Sequence, residues 1–199
     1  MRGIGKWAVL VLVVAWGVGC AGEDPDVRRG NLFFKNKQYD AAYKAYEQAV
    51  TRNPKLVDLV RENFKKSYYY YGGALEMGDS LDGAIKYYEK GFALDPTEAG
   101  MCEKLAKYYW QRKEFEPAAK YYGRLVELDG EAPDTDKKWA IMGQDAYALG
   151  YALFQSGKYK ESIEAFQNSI KVSPRGSFAA KAKDALVAAK DKVSKLKGQ

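Results

Sequence analysis

Few residues in this chain are of a kind that does chemistry, and their spacing narrows the field further. None of the 199 residues is histidine, which excludes Ser-His and Cys-His nucleophilic pairs, HExxH-type zinc sites and an imidazole pH switch. Catalysis would have to rest on carboxylates, lysine, tyrosine or a cofactor. The densest carboxylate run, Asp129-Gly130-Glu131-Ala132-Pro133-Asp134-Thr135-Asp136, could in principle hold a hard cation in a loop. It lacks the alternating ligands and the downstream glutamate of a calcium loop, so a solvated linker that caps the next helix is the better reading. Gly72-Gly73 has no Lys-Ser/Thr after it and reads as helix packing, not a phosphate cradle. Two thiols, Cys20 and Cys102, allow at most one disulfide. The inventory predicts no catalytic residue, no metal and no cofactor: a protein that binds and is not an enzyme.

The first of those thiols sits at the end of an address. Arg2 and Lys6 precede a wholly apolar stretch, Trp7 to Trp16 (WAVLVLVVAW), too short for a membrane-spanning helix of about 20 residues and arranged as the basic and apolar regions of a signal peptide. Gly17-Val18-Gly19-Cys20 follows. A small residue directly before a cysteine resembles the lipobox of bacterial lipoproteins, although Gly17 stands where that family usually has Leu. The resemblance implies removal of residues 1–19 and acylation of Cys20; ordinary cleavage nearby, with Cys20 incidental, is the competing reading. Ala21 at the next position implies forwarding to the outer membrane, facing the periplasm of a bacterial envelope. An acylated Cys20 would leave Cys102 without a disulfide partner.

Beyond a short tether at residues 20–25, the chain repeats. Leu81, Ala84, Tyr87-Tyr88, Leu94 and Asp95 recur 34 residues later as Phe115, Ala118, Tyr121-Tyr122, Leu128 and Asp129. A third copy runs through Tyr39 to Pro54, and a fourth through Tyr159 to Pro174. The pattern resembles the tetratricopeptide repeat, a 34-residue helix-turn-helix unit. Its repeat positions 8, 20, 24, 27 and 32 are Gly30, Ala42, Tyr46, Ala49 and Pro54 in the first unit and Gly72, Ala84, Tyr88, Gly91 and Pro96 in the second. The third has Ala106, Ala118 and Tyr122, then Leu125, with Gly130 in place of proline. The fourth has Gly150, Ser162, Phe166, Ser169 and Pro174.

Small residues at positions 8 and 20 are expected to face each other where the paired helices cross, and proline to stop the second helix. The fold implied is an all-α, right-handed superhelical solenoid of four units, at residues 23–54, 55–96, 97–130 and 131–174. Extra residues lengthen the first helices of units two and four, over 54–77 from an Asn53 cap and over 135–156 after Asp134, and these helices are expected to project beyond the solenoid edge. Residues 175–199 carry Phe178, Ala182, Ala185, Leu186, Ala189, Val193 and Leu196 at helical spacing among lysines, a basic amphipathic capping helix.

Four consecutive tyrosines, Tyr68 to Tyr71, point about 100 degrees apart on a helix, so they cannot all be core. In the repeat register Tyr68 and Tyr71 are buried, while Tyr69 and Tyr70 take positions that in this family face the concave groove. The groove set is then Phe34, Lys35, Lys66, Tyr69, Tyr70, Lys104, Lys107, Trp110, Tyr147, Tyr151 and Phe154, with Arg28 beside it: aromatic and basic, suited to a peptide with apolar anchors. Of the residues with which some such domains clamp a chaperone's terminal carboxylate, only Asn31 and Lys104 match, which disfavours that role. Cys102 falls at a buried position as an inert thiol.

The net charge of +6 is unevenly placed: +2 in the signal segment, −1 over residues 20–174 and +5 in the last 25 residues. The expected partners are another envelope protein or peptide in the groove and the membrane through the lipid, with no nucleic acid and no small-molecule substrate. The chain resembles, in architecture only, repeat-bearing lipoproteins that support outer-membrane protein assembly or act as pilotins for pilus secretins; both usually have more repeats. A cell-wall protein that stacks glycan rings on the groove aromatics is the alternative.

Overall fold

The computed structural model describes residues 23–131 and 135–197, and Cys20 and the signal segment lie outside them. Helix α1 (Pro25–Lys35) starts where Asp24 caps it, the Asp24 Oδ1 accepting the Asp26 and Val27 amides at 2.9 and 3.2 Å with proline at the first position. It pairs with α2 (Tyr39–Arg52). Asn53 then caps a short 3-10 turn at Pro54–Leu56, which leads into α3 (Val57–Met77) and its partner α4 (Leu81–Leu94). The remaining elements are α5 (Ala99–Gln111), α6 (Phe115–Glu131), α7 (Asp136–Gln155), α8 (Tyr159–Val172) and α9 (Ser177–Lys197). The described residues are all-helical, and each helix packs on its neighbour in sequence, as stacked pairs must to bury faces that no single pair can cover.

The turn inside each pair shows the repeat at the level of the backbone. Lys37, Asp79, Lys113 and Gly157, each five residues before the small residue at position 20, all have φ between 58 and 78 degrees. Only Gly157 adopts that left-handed conformation without steric cost. The four turns share one geometry because the following helix must fold back along the same line.

The small residue at position 8 meets the aromatic at position 24, not the small residue at position 20 as the sequence suggested. A Cβ on Gly30 would lie 2.5 Å from Tyr46 Cε1, one on Gly72 2.9 Å from Tyr88 Cε1, and one on Gly150 2.6 Å from Phe166 Cδ1. In these three pairs the ring is at most 1% exposed. The third repeat has Ala106 there, and its ring, Tyr122, is only half-buried. Ala42, Ala84, Ala118 and Ser162 at position 20 are fully buried. Gly91, at position 27, leaves space that Met101 of α5 enters, sealing the second repeat to the third.

Three further expectations are corrected. The long helices do not simply overhang: Val60 and Phe64, in the added turns of α3, are buried against Tyr46 and its neighbours, while Gly143 of α7 packs against Ser173. Residues 129–131 are not loop. With Gly130 in place of proline, α6 continues to Glu131, because a glycine weakens a helix but does not stop it as proline does. Thr135, rather than Asp134, caps α7, its Oγ1 accepting the Lys138 amide at 3.1 Å. The capping helix α9 covers the last repeat, with Ala182 and Ala189 packed on Phe166.

Candidate interaction groove

The first helices of the pairs carry the proposed groove residues, and the structure sorts them into a packed floor and an exposed rim. Tyr68 is 4% exposed, as the helical register requires, but Tyr71, expected to be buried, is only half-buried. Tyr70 is 44% exposed and stacks on Tyr39 of α2, ring centroids 4.6 Å apart. Phe34 meets the other side of Tyr39 edge-on at 5.7 Å, and Tyr69 lies between Tyr70 and Tyr88 at 5.6 and 5.7 Å. Rings in such offset or edge contacts hold one another in place. Phe34, Tyr69, Trp110, Tyr147, Tyr151 and Phe154 are all half-buried. Trp110 leans on Tyr151 at 5.2 Å, joining α5 to α7, and Tyr147 packs on Phe166 and Phe178. The groove aromatics are therefore shared between wall and core.

An open pocket of about 510 Å³ lies between α3 and α5, lined by Tyr69, Tyr70, Gly73, Glu76, Met77, Tyr88 and Lys104. Met77 is 84% exposed at its lip. Glu76 organises the polar end: its carboxylate accepts the Tyr88 hydroxyl at 3.0 Å and the Lys104 ammonium at 2.9 and 3.1 Å. Burial pushes this carboxyl up, and its donors, Lys104 and Tyr88 among them, bring it below the usual range. Lys104 is thus a paired cation at the wall. Lys66 reaches Glu62 at 3.6 Å, while Lys35 and Lys107 are exposed.

Sequence reasoning missed Tyr39, Glu76 and Met77. Met77 lies seven residues after Tyr70 on the same helix face, a spacing visible in the sequence. Tyr39 and Glu76 carried no local signal, since each matters through a partner on another helix.

Another missed residue bolts the scaffold. Lys65 of α3 is 7% exposed, and its ammonium contacts Asp95 at 2.5 Å, Glu62 at 2.9 Å and Glu98 at 3.3 Å. Burial works against its charge, but the hydrogen bonds that it donates to Asp95, Glu62 and Glu98 outweigh this and hold the ammonium well above the ordinary lysine range. The Lys65 contact, seconded by Thr97, holds Asp95 down to about 2. Cys102 is fully buried, and burial pushes its thiol up to about 11. Among the described residues no helix is long and apolar enough to cross a membrane.

A solenoid of helix pairs, three of them with a glycine against a buried ring at the crossing, is the architecture of a helical-repeat domain. Family models of the tetratricopeptide repeat match residues 27–56, 99–131 and 144–175: the chain carries tetratricopeptide repeats. It is similar to the TPR repeat-containing protein MJ1428 of Methanocaldococcus jannaschii, 23% identical over 166 residues that cover 74% of this chain and 24% of that protein. The chain therefore spans about a quarter of the length of that curated relative. Two solved structures share the fold. The N-terminal domain of stress-induced protein-1 (STI-1) from C. elegans has a TM-score of 0.51 at 17% identity, covering 63% of this chain and 96% of that one. MamA (AMB-1) has a TM-score of 0.52 at 17% identity, covering 85% and 81%.

Proposed function

We propose that this chain is a non-catalytic scaffold, anchored in a bacterial envelope by a lipid on Cys20, that holds an apolar segment of another envelope protein in the groove between α3 and α5. The observation that carries the binding reading is the pocket with exposed Tyr70 and Met77 at its rim and a rigid stack of rings behind them. Exposed apolar groups on a preorganised wall lose little entropy on binding, so they suit a partner's apolar side chain. The anchor rests on the sequence alone. Between Cys20 and the start of α1 at Pro25 there are only four residues, a leash of roughly 13 to 14 Å at 3.3–3.6 Å per residue, which would keep the groove close to the bilayer. Outer-membrane protein assembly, secretion and pilus biogenesis are the processes this placement fits. A glycan stacked on the same aromatics is the alternative, favoured by the stacked geometry of Tyr39 and Tyr70.

Two measurements test the reading. A palmitate analogue fed to cells should label the wild type and not Cys20→Ser; equal labelling of both refutes the anchor. A photo-crosslinker in place of Met77 should capture a secretin or a barrel-assembly protein in native membranes, with Tyr70→Ala lowering the yield severalfold and a crosslinker at Lys86, exposed on α4, capturing neither. Recovery of glycan alone would replace the protein-partner reading with the cell-wall one.

A further inference from the structure

Asp95 and Asp129 occupy the same position in successive repeats, 34 residues apart, and meet opposite fates. Asp95 ends α4 before Pro96 and is neutralised by Lys65. Asp129 is carried onward inside α6 because Gly130 replaces the proline, and there it meets another acid. Its Oδ2 is buried without a hydrogen-bond partner, and its carboxyl lies within hydrogen-bond reach of that of Asp145 on α7. Asp145 is only 9% exposed. Two ionised carboxylates are both acceptors and cannot bond to each other, so a contact between them needs a proton on one.

The other charged and titratable groups facing this pair are few. Glu103 of α5 adds negative charge to Asp145, the Tyr122 hydroxyl of α6 is within electrostatic reach of Asp145, and Lys138 of α7 acts on Asp129 while donating to the Gly130 carbonyl at 3.1 Å. Among the described residues α8 and α9 contribute no charge to the set acting on Asp145. The pair sits on the two helices that join the third repeat to the fourth, the same junction that Trp110 and Tyr151 bridge on the groove side.

We propose that the Asp129–Asp145 pair is a proton-operated latch: sharing one proton, it clamps α6 to α7, and losing that proton loosens the junction of the third repeat with the fourth. Burial, followed by the charge of Asp129, pushes the Asp145 carboxyl up to about 7, and burial raises Asp129 as well. An acid raised in the folded state contributes stability that is complete at low pH and is lost as the pH climbs from the ordinary carboxylate value towards 7. The latch is therefore closed in mildly acid surroundings and open in alkaline ones. It does not depend on the anchor or on the partner's identity.

Hydrogen exchange of the full chain in neutral detergent, corrected for the intrinsic effect of pH on exchange, tests this. Between pH 5 and 8 peptides from the end of α6 and the middle of α7 should lose protection by about tenfold or more, as loss of a pairing that shifts a proton by a unit or more requires, while peptides of α1 and α2 stay level. Asp145→Asn, whose amide can donate to Asp129 at any pH, should keep the junction protected at pH 8. Asp129→Asn should do the same. Wild-type protection that is level across the range, or an equal pH dependence in either variant, overturns the latch. Unfolding of both variants at pH 5 does too, since each amide stands in for the protonated acid.

Discussion

Truncating Phe166 to alanine is expected to destabilise the protein by about 3–5 kcal/mol, the range for deleting a fully buried aromatic, and to release the capping helix. Phe166 fills the crossing of α7 and α8 against Gly150 and is also the surface on which Ala182 and Ala189 of α9 rest. Ala182 and Ala189 share one buried cluster with this ring, so its removal opens a cavity directly beneath α9. A denaturant melt measures the stability loss. Limited proteolysis separates the second effect: cleavage after Lys183 and Lys190, both on α9, should accelerate in the variant well before the other helices are cut. Proteolysis at the wild-type rate would mean that α9 is held by something other than this ring. Filling the cavity from the other side should not rescue it, because a side chain on Gly150 would follow a different path from its own helix.

The second large effect is expected at Lys65. Replacing it with methionine keeps most of the stem but leaves Asp95, Glu62 and Glu98 facing one another without a cation, at a cost of roughly 1.5–3 kcal/mol, the range for charge-assisted hydrogen bonds. The low exposure of Lys65 argues for the upper part of that range and the greater exposure of Glu62 and Glu98 against exceeding it. The pH dependence has a definite sign. Asp95 is held down to about 2, mainly by Lys65, so its contribution is complete above the ordinary carboxylate value near 3.8 and is lost as the pH falls from there towards 2. Wild type and Lys65→Met melts should converge on acidification and diverge above pH 4. A constant gap from pH 2 to 7 would mean that Lys65 acts by packing and not by its charge.

These two acid-linked features pull in opposite directions, and both come from one repeat position. Where proline follows, at Asp95-Pro96, the helix ends and the aspartate turns to a lysine. Where glycine follows, at Asp129-Gly130, the helix runs on and the aspartate is delivered to Asp145. A single backbone difference thus separates a rigid second-to-third junction, sealed by Met101 in the space left by Gly91, from a third-to-fourth junction with a protonatable core.

The all-helical fold and the presence of tetratricopeptide repeats were legible in the residues themselves because small residues, rings and prolines recur at a fixed spacing. Within the Tyr68–Tyr71 run, helical geometry separated buried Tyr68 from exposed Tyr70, while Tyr69 and Tyr71 are both half-buried because each also packs on a ring of a neighbouring helix. What only the tertiary structure decided are contacts between units. That position 8 receives the ring of position 24, that Tyr39 braces Tyr70, that Lys104 is spent on Glu76, that Lys65 is buried among three acids, and that Asp129 faces Asp145 all depend on how one helix lies against another. A buried charge is set by the partner it meets across such a crossing, and the crossing is the sum of many small packing choices that no local stretch of sequence contains.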